Sequence, residues 1–351
     1  MNERSPGSVV DLFCGAGGLS HGFFLEGFKI AAGIDIDERC EFPFEQNNDS
    51  KFIRRDVSNL NAADVSDLFA PDERKILVGC APCQPYSSYG RKQDPTQWGL
   101  LENFAQIVRE VQPDVVSMEN VPRLRNFQGG RVFKRFTDAL EDAGYGEPTV
   151  VTAYAPDYGV PQTRSRLVLL ASRHGKMSLI PPTCGPDSYE TVTNAIGALP
   201  EVGDGAADED DPLHRSSRLS PLNRQRIQAS KPGGTWDDWP DEIVAPCHKK
   251  EGGRSWPSVY GRMKWNEPSP TITTQFYRYG TGRFGHPEQD RALSLREGAI
   301  LQSFPPDYEF VRPDDPVEIT PVGRLIGNAV PVLLARVIAR SIKVHLEECA
   351  S

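Results

Sequence analysis

The chain has 351 residues, 38% hydrophobic and 25% charged, with a net charge of -9. That balance excludes wholesale disorder and allows one large or two modest cores. No unbroken apolar run approaches the ~20 residues a membrane helix needs, and the acidic total taken alone argues against a nucleic-acid partner.

The opening MNERSPGSVVDLF lacks the basic-then-apolar order of a secretory leader, so a cytoplasmic protein is expected. Residues 8–13 (SVVDLF) read as a buried strand, and 19–28 as a helix behind a glycine turn. Further strands are expected at 29–37, 75–82, 114–121 and 166–172, with a helix at 102–112. Strands alternating with helices predict an α/β fold built on a doubly wound, mostly parallel, Rossmann-like sheet. Beyond Ser172 the texture changes, with more Pro and Gly and weak apolar periodicity. Residues 201–211 hold six acids and no base, whereas Pro212 to His286 hold 12 Lys and Arg against 6 Asp and Glu. This predicts a smaller, irregular second domain with a basic segment behind an acidic loop. Apolar residues in 323–346 recur at helical spacing and predict one long helix packed on the first domain. The expected division is 1–190 plus 320–351 for the first domain and 191–319 for the second.

VVDLFCGAGGLSHGF places Gly15, Gly17 and Gly18 between a strand and a helix, where backbone N–H groups can meet a ligand closely. Asp35 ends the second strand, where a carboxylate can accept from ribose hydroxyls. Ser20 takes the place of the third glycine of G-x-G-x-x-G, which suits a nucleoside cofactor without a diphosphate, S-adenosyl-L-methionine first among them.

Seven scattered cysteines fit no secreted disulfide framework. Only Cys80 and Cys83 are close. A thioredoxin-like pair would open a helix in a much smaller domain. A zinc site would need two more ligands, and Cys247 with His248 are poorly placed for a tetrahedral set; no metal is expected. Cys80 reads as a buried, inert residue. Cys83 differs, because Glu119 ends a later strand and ligands gather at the carboxyl ends of parallel strands. A thiolate and a carboxyl group beside a cofactor suggest covalent catalysis. Arg164 and Arg166 lie two apart at the start of another strand and so share a side.

The ordered set DLFCGAGG, PCQPYSSYG, MENV, QTRSRL and GNAVP strongly resembles the cytosine-C5 DNA methyltransferases of the bacterial restriction-modification type. The resemblance covers nearly all of residues 8–346 and is weakest over 190–265. It implies transfer of a methyl group from S-adenosyl-L-methionine to a flipped-out cytosine in duplex DNA, leaving S-adenosyl-L-homocysteine, with no metal required. Cys83 would be the nucleophile on cytosine C6. Glu119 would bind the N3 and N4 edge, Arg166 with Arg164 would contact O2 or order the site, and Asn120 would help place the active-site loop. For the cofactor, the resemblance implies Phe13 against adenine, Gly15, Gly17 and Gly18 around the methionine part, and Asp35 on the ribose. Asp56, followed by Val57, would take the adenine N6. Ile36 stands where some relatives carry an aromatic, and Pro82, Leu100, Asn328 and Val330 would complete the pocket. Residues 84–99 would be the loop that closes over the base, with Gln84, Ser87 or a second-domain residue filling the gap it leaves.

Residues 190–265 would read the DNA, through candidates such as Arg215, Arg218, Arg224, Arg226, Lys249, Lys250, Arg254, Arg262 and Lys264, with Arg278 and Arg283 beyond. The acidic loop should point away from the duplex or lack order. Two alternatives stay open: an RNA (tRNA) cytosine-C5 methyltransferase, although the Cys-Phe-Thr tripeptide of that branch does not occur here, and a catalytically silent DNA-binding relative. A separately acting endonuclease partner or a solitary enzyme are both compatible. No membrane partner is expected, and a monomer would suffice.

Overall fold

The computed structural model describes residues 5–82, 99–250, 252 and 257–349. Cys83, residues 84–98 of the expected closing loop, and Arg254 lie outside the described residues. Two compact units are present. One comprises Met1–Tyr158, Ser165–Thr183 and Ala329–Ser351, and the other Gly159–Arg164 and Cys184–Asn328.

The first unit carries a sheet of seven strands: β1 (Ser8–Leu12), β2 (Lys29–Asp35), β3 (Lys51–Arg54), β4 (Lys75–Gly79), β5 (Val115–Asn120), β6 (Thr149–Tyr154) and β7 (Ser165–Ser172). Their order is β3-β2-β1-β4-β5-β7-β6. The first five pair in parallel, and β7 runs antiparallel to both β5 and β6. The helices of this unit are α1 (Gly18–Leu25), α2 (Glu41–Asn48), α3 (Ala62–Ser66), α4 (Gly99–Val111) and α5 (Arg131–Asp142). Four more, α6 (Val192–Ile196), α7 (Pro221–Ala229), α8 (Leu295–Leu301) and α9 (Ile319–Asn328), belong to the second unit, and α10 (Val332–Glu348) returns to the first.

Strands β1 and β5 are buried throughout, as expected where helices cover both faces of a parallel sheet. Alternation sorts their side chains. Val10, Leu12, Leu77 and Met118 join Phe104 and Phe136 of α4 and α5 on one face. Val9, Ile76, Val78 and Val115 join Phe23 of α1, Phe44 of α2 and Ile338 of α10 on the other. Helices α1 and α10 meet so closely that a Cβ on Gly22 would lie 2.4 Å from that of Ala335.

The expected long helix over 323–346 is two helices. Alpha9 stops at Asn328 and α10 starts at Val332. Pro331 accounts for the break: its ring disfavours helical geometry at Val330, and it has no N–H to continue the ladder. Ile319–Glu348 has the hydropathy of a membrane span, but it is interrupted here and mostly buried within the protein. Strands β3 and β6 and helices α2, α3 and α5 are additions to the sequence reading; β3 is only four residues, KFIR, with charged ends.

In the second unit the described residues form no named strand, only isolated bridges such as Pro232 with Arg262. Buried arginines brace its loops instead. Arg262 donates to the carbonyls of Ile227, His286 and Gln289 and pairs with Asp290. Arg226 donates to the Ile243 carbonyl and stacks over Trp239 and Tyr260. Both are nearly inaccessible to solvent, which corrects their expected role as DNA contacts. A guanidinium has five fixed donors, and loops without strand partners have carbonyls that need them. The acidic loop is ordered, tied down by Asp204 to Arg224 and by Asp211 to Arg296.

Candidate active site

The parallel register sets Leu12 beside Gly79 and Gly79 beside Met118, so the turns after β1, β4 and β5 open at one edge of the first unit. Because β7 is antiparallel to β5, its first residues reach the same edge. Contact here is tight: a Cβ on Gly79 would lie 2.7 Å from the Leu12 carbonyl oxygen.

Glu119 lies one residue before the end of β5 and is 1% exposed. Its Oε1 is 2.8 Å from Nε of Arg166, an ion pair whose N–H does not lie on a hydrogen-bond line. Its Oε2 accepts from the Cys80 thiol at 2.9 Å. Cys80, expected to be a buried, inert residue, is half-buried, and its S–H is directed at a buried carboxyl group. Asn120 donates through Nδ2 to the carbonyl of Ala81 at 2.9 Å, anchoring the chain two residues before Cys83. The edge therefore assembles Glu119, Arg166, Asn120 and the segment Cys80–Pro82 that leads into Cys83.

Arg164 is placed differently. It belongs to the second unit, where its Nη1 donates to the Ile272 carbonyl at 3.1 Å and lies near Gln162 and Gln302. Its guanidinium is 5% exposed and committed to that network, so it fits an ordering role.

The glycine turn follows β1. Phe13, Gly15 and Gly17 have φ of 62°, 53° and 87°, in the left-handed region that glycine reaches without strain. Gly15 donates its N–H to Oδ2 of Asp35 at 3.0 Å, and Asp37 donates to Oδ1 at 3.0 Å. Each oxygen keeps a lone pair for a further donor. A Cβ on Gly15 would meet nothing within 4 Å, so its outer side faces open space. Next to Asp35, Ile36 is 62% exposed, an apolar surface at the strand end. Asp56 uses Oδ1 to cap the turn at Ser58 N, and Val57 is buried behind it. Pro82 and Leu100 are half-buried, and Val330 is buried in the core under α1 and α10. Asn328 is exposed at the end of α9 and belongs to the second unit. FCGAGGLS contains no Lys or Arg, and the carboxyl groups of Asp11 and Asp35 lie against it. An acidic turn with no base fits a cationic cofactor without phosphates.

Asp11 is a residue the sequence reading passed over, although a carboxyl inside SVVDLF was the signal. It is fully buried, and Ser20 donates its hydroxyl to Oδ2 at 2.7 Å. Thus the serine in the third glycine position braces the helix start against β1. Oδ1 has no hydrogen-bond partner among the described residues. Burial raises the Asp11 pKa to about 7, against the Ser20 hydrogen bond and with Asp35 adding repulsion. Burial likewise raises Asp35.

A folded pKa above the unfolded one means that between about pH 4 and about pH 7 the folded state holds more protons than the unfolded state. Stability contributed by this group is therefore full at low pH and falls across that window, by on the order of a few kcal/mol. Asp11→Asn keeps an acceptor for Ser20 and cannot ionise. Urea titrations at several pH values should show a flatter stability profile in that variant between pH 4 and 7. Parallel profiles would show that Asp11 titrates normally.

The profile of the C-5 cytosine-specific DNA methylases matches residues 7–344. The chain belongs to this family. It is therefore a DNA (cytosine-5-)-methyltransferase, as its motif order leads one to expect. The methyltransferase is 52% identical over 342 residues to the type II methylase M.HgiDII of Herpetosiphon aurantiacus, covering 97% of this chain and 96% of that one. It is 31% identical to the type II methyltransferase M.Eco47II of Escherichia coli, covering 97% of this chain and 79% of that one. Its fold matches a proposed DNA modification methyltransferase encoded within an E. coli prophage, at a TM-score of 0.72 and 22% identity over 97% of this chain and 99% of that one. It also matches the methyltransferase EhMeth of Entamoeba histolytica, at 0.65 and 14% over 98% and 99%. The doubly wound, mostly parallel sheet is thus that of known methyltransferases.

Proposed function

We propose that this methyltransferase methylates C5 of a cytosine flipped out of duplex DNA, through a covalent bond between Cys83 Sγ and C6. The observation that carries the reading is the buried Glu119–Arg166 pair at the edge where Cys80–Pro82 leads into Cys83. Cytosine C5 is a poor nucleophile. Attack of the Cys83 thiolate at C6 pushes an electron pair toward C5 and N3 and makes C5 enamine-like. Glu119 holds the N3 and N4 edge and gives N3 a proton as that pair arrives. Arg166 holds the Glu119 carboxyl group in place and lies toward O2. S-adenosyl-L-methionine, when bound, supplies an electrophilic methyl group. Transfer of that methyl to C5 would leave S-adenosyl-L-homocysteine; N3 then returns its proton to Glu119, the C5 proton passes to solvent while its bonding pair re-forms the C5–C6 double bond, and the C6–S pair leaves with sulfur as the Cys83 thiolate. The turn at Phe13, Gly15, Gly17 and Gly18, with Asp35, Ile36, Asp56, Val57, Pro82, Leu100 and Val330, would hold the cofactor.

A cytosine inside a duplex cannot reach a buried carboxyl group, so the base must leave the stack. The second unit would read the sequence, and its exposed Arg218, Lys249, Lys250, Arg278 and Arg283 are suited to phosphate contacts. The protein would work in the cytoplasm on chromosomal DNA, beside a separately acting endonuclease of the type II kind.

The test uses purified protein, S-adenosyl-L-methionine and unmethylated genomic DNA, read by sequencing that reports 5-methylcytosine at single-base resolution. Methylation confined to one short sequence is expected. Transfer to tRNA with none to DNA would overturn the choice of substrate, and cofactor binding without transfer to either would mark a silent relative.

A further inference from the structure

Glu119 has a neighbour that the proposed chemistry does not use. The Cys80 thiol lies 2.9 Å from Oε2, while the Arg166 guanidinium faces Oε1 at 2.8 Å. The two oxygens are therefore unlike. Arg166 carries a permanent positive charge and can only donate, so a proton on Oε1 is disfavoured. The proton that Glu119 holds or gives belongs on Oε2, the oxygen facing sulfur. A thiol suits that position because its S–H is a weak donor and its sulfur a weak acceptor. Turned one way it donates to the carboxylate; turned the other it tolerates an O–H. The rest of the Cys80 side chain packs on the apolar layer under α1 and α10, which fixes where the sulfur sits.

We propose that Cys80 is a positioning residue for the methyl-transfer reaction, acting through Glu119: its thiol holds the Oε2 side of the carboxyl group and stabilises the carboxylate that remains once N3 has taken the proton. This rests on the reading of Glu119 as the group that binds the cytosine edge. It assigns Cys80 a part distinct from that of Cys83, although the two cysteines are three positions apart.

The experiment compares wild type, Cys80→Ala, Cys80→Ser and Glu119→Gln in kcat–pH profiles on methylatable DNA, with KM for DNA and for S-adenosyl-L-methionine measured alongside. Cys80→Ala removes the donor. Its kcat should fall about tenfold, the low end for a hydrogen bond to a charged group, with both KM values within about twofold. The limb of the profile set by Glu119 should move to higher pH, because a carboxylate that loses a donor is less stable as an anion. Cys80→Ser restores an O–H donor and should return the limb toward wild type. A structural role alone would lower activity in both variants and leave the limb where it was. Coincident profiles for wild type, Cys80→Ala and Cys80→Ser would overturn the proposal. Glu119→Gln separates the two ideas. If it turns over like wild type, the reading of Glu119 fails; if it is crippled while the Cys80 profiles coincide, only the role of Cys80 fails.

Discussion

Cys83→Ser should abolish methyl transfer, by on the order of 10⁴-fold or more, the scale on which covalent enzymes lose rate when the nucleophile is removed. A serine hydroxyl remains protonated at neutral pH and attacks C6 far less readily than a thiolate. DNA binding and cofactor binding should be largely retained, since neither depends on a bond to sulfur. A second readout makes the test direct. A DNA substrate carrying fluorine at cytosine C5 cannot lose a proton there after methylation, so the C6–S bond cannot break by elimination. Wild type should form a stable protein–DNA adduct with that substrate, and Cys83→Ser should form none. Undiminished turnover in the variant, or an adduct of equal yield, would remove Cys83 from the mechanism.

Replacing Glu297 is expected to have the largest effect on stability. Its carboxylate accepts from both terminal nitrogens of Arg291, at 2.8 and 2.6 Å, and from the Ser294 N–H at 2.7 Å. Arg291 and Glu297 are each 1% exposed. Burial opposes the charge on Glu297, but Arg291 outweighs it and holds the pKa below the usual carboxylate range. His286, 3.7 Å away, is pushed by burial down to about 4 and is neutral at pH 7. Glu297→Gln therefore leaves Arg291 as a buried charge without its partner, at a cost of about 3 to 5 kcal/mol. The double change Arg291→Met, Glu297→Leu should cost less than the single one, because no charge is then left behind. Denaturant titration of the three variants checks both statements. A single-variant loss under about 0.5 kcal/mol would mean that solvent reaches the pair.

Much of the sheet was legible because β1, β2, β4 and β5 are short apolar runs, and burial between helices leaves that pattern intact. The edge strand β3 was not, since KFIR alternates too briefly to stand out. The break between α9 and α10 was legible in Pro331 but was overridden by the apolar spacing around it. At the site, Glu119 could be placed at the carboxyl edge from strand order, whereas Arg166 reaches that edge only because β7 runs antiparallel to β5, which its sequence does not show. The approach of Cys80 to Oε2 had no sign in the sequence, because a thiol packed on apolar neighbours and one 2.9 Å from a carboxyl group look alike there. The basic segment misled in the other direction. Positive charge in a sequence does not distinguish an arginine facing phosphate from one facing its own backbone, and Arg226 and Arg262 are of the second kind.

Those inward arginines have a consequence for descent. Strand pairing ties each residue to a register, so an insertion dislocates everything that follows it. A unit braced by single guanidiniums, each gathering carbonyls from several loops, sets conditions at only a few positions. Between those positions the chain can lengthen, shorten or change its side chains at little entropic cost. A lineage built on this plan can therefore revise its outer loops by small genetic steps and meet new molecular surfaces, while the sheet and its chemistry are inherited unchanged.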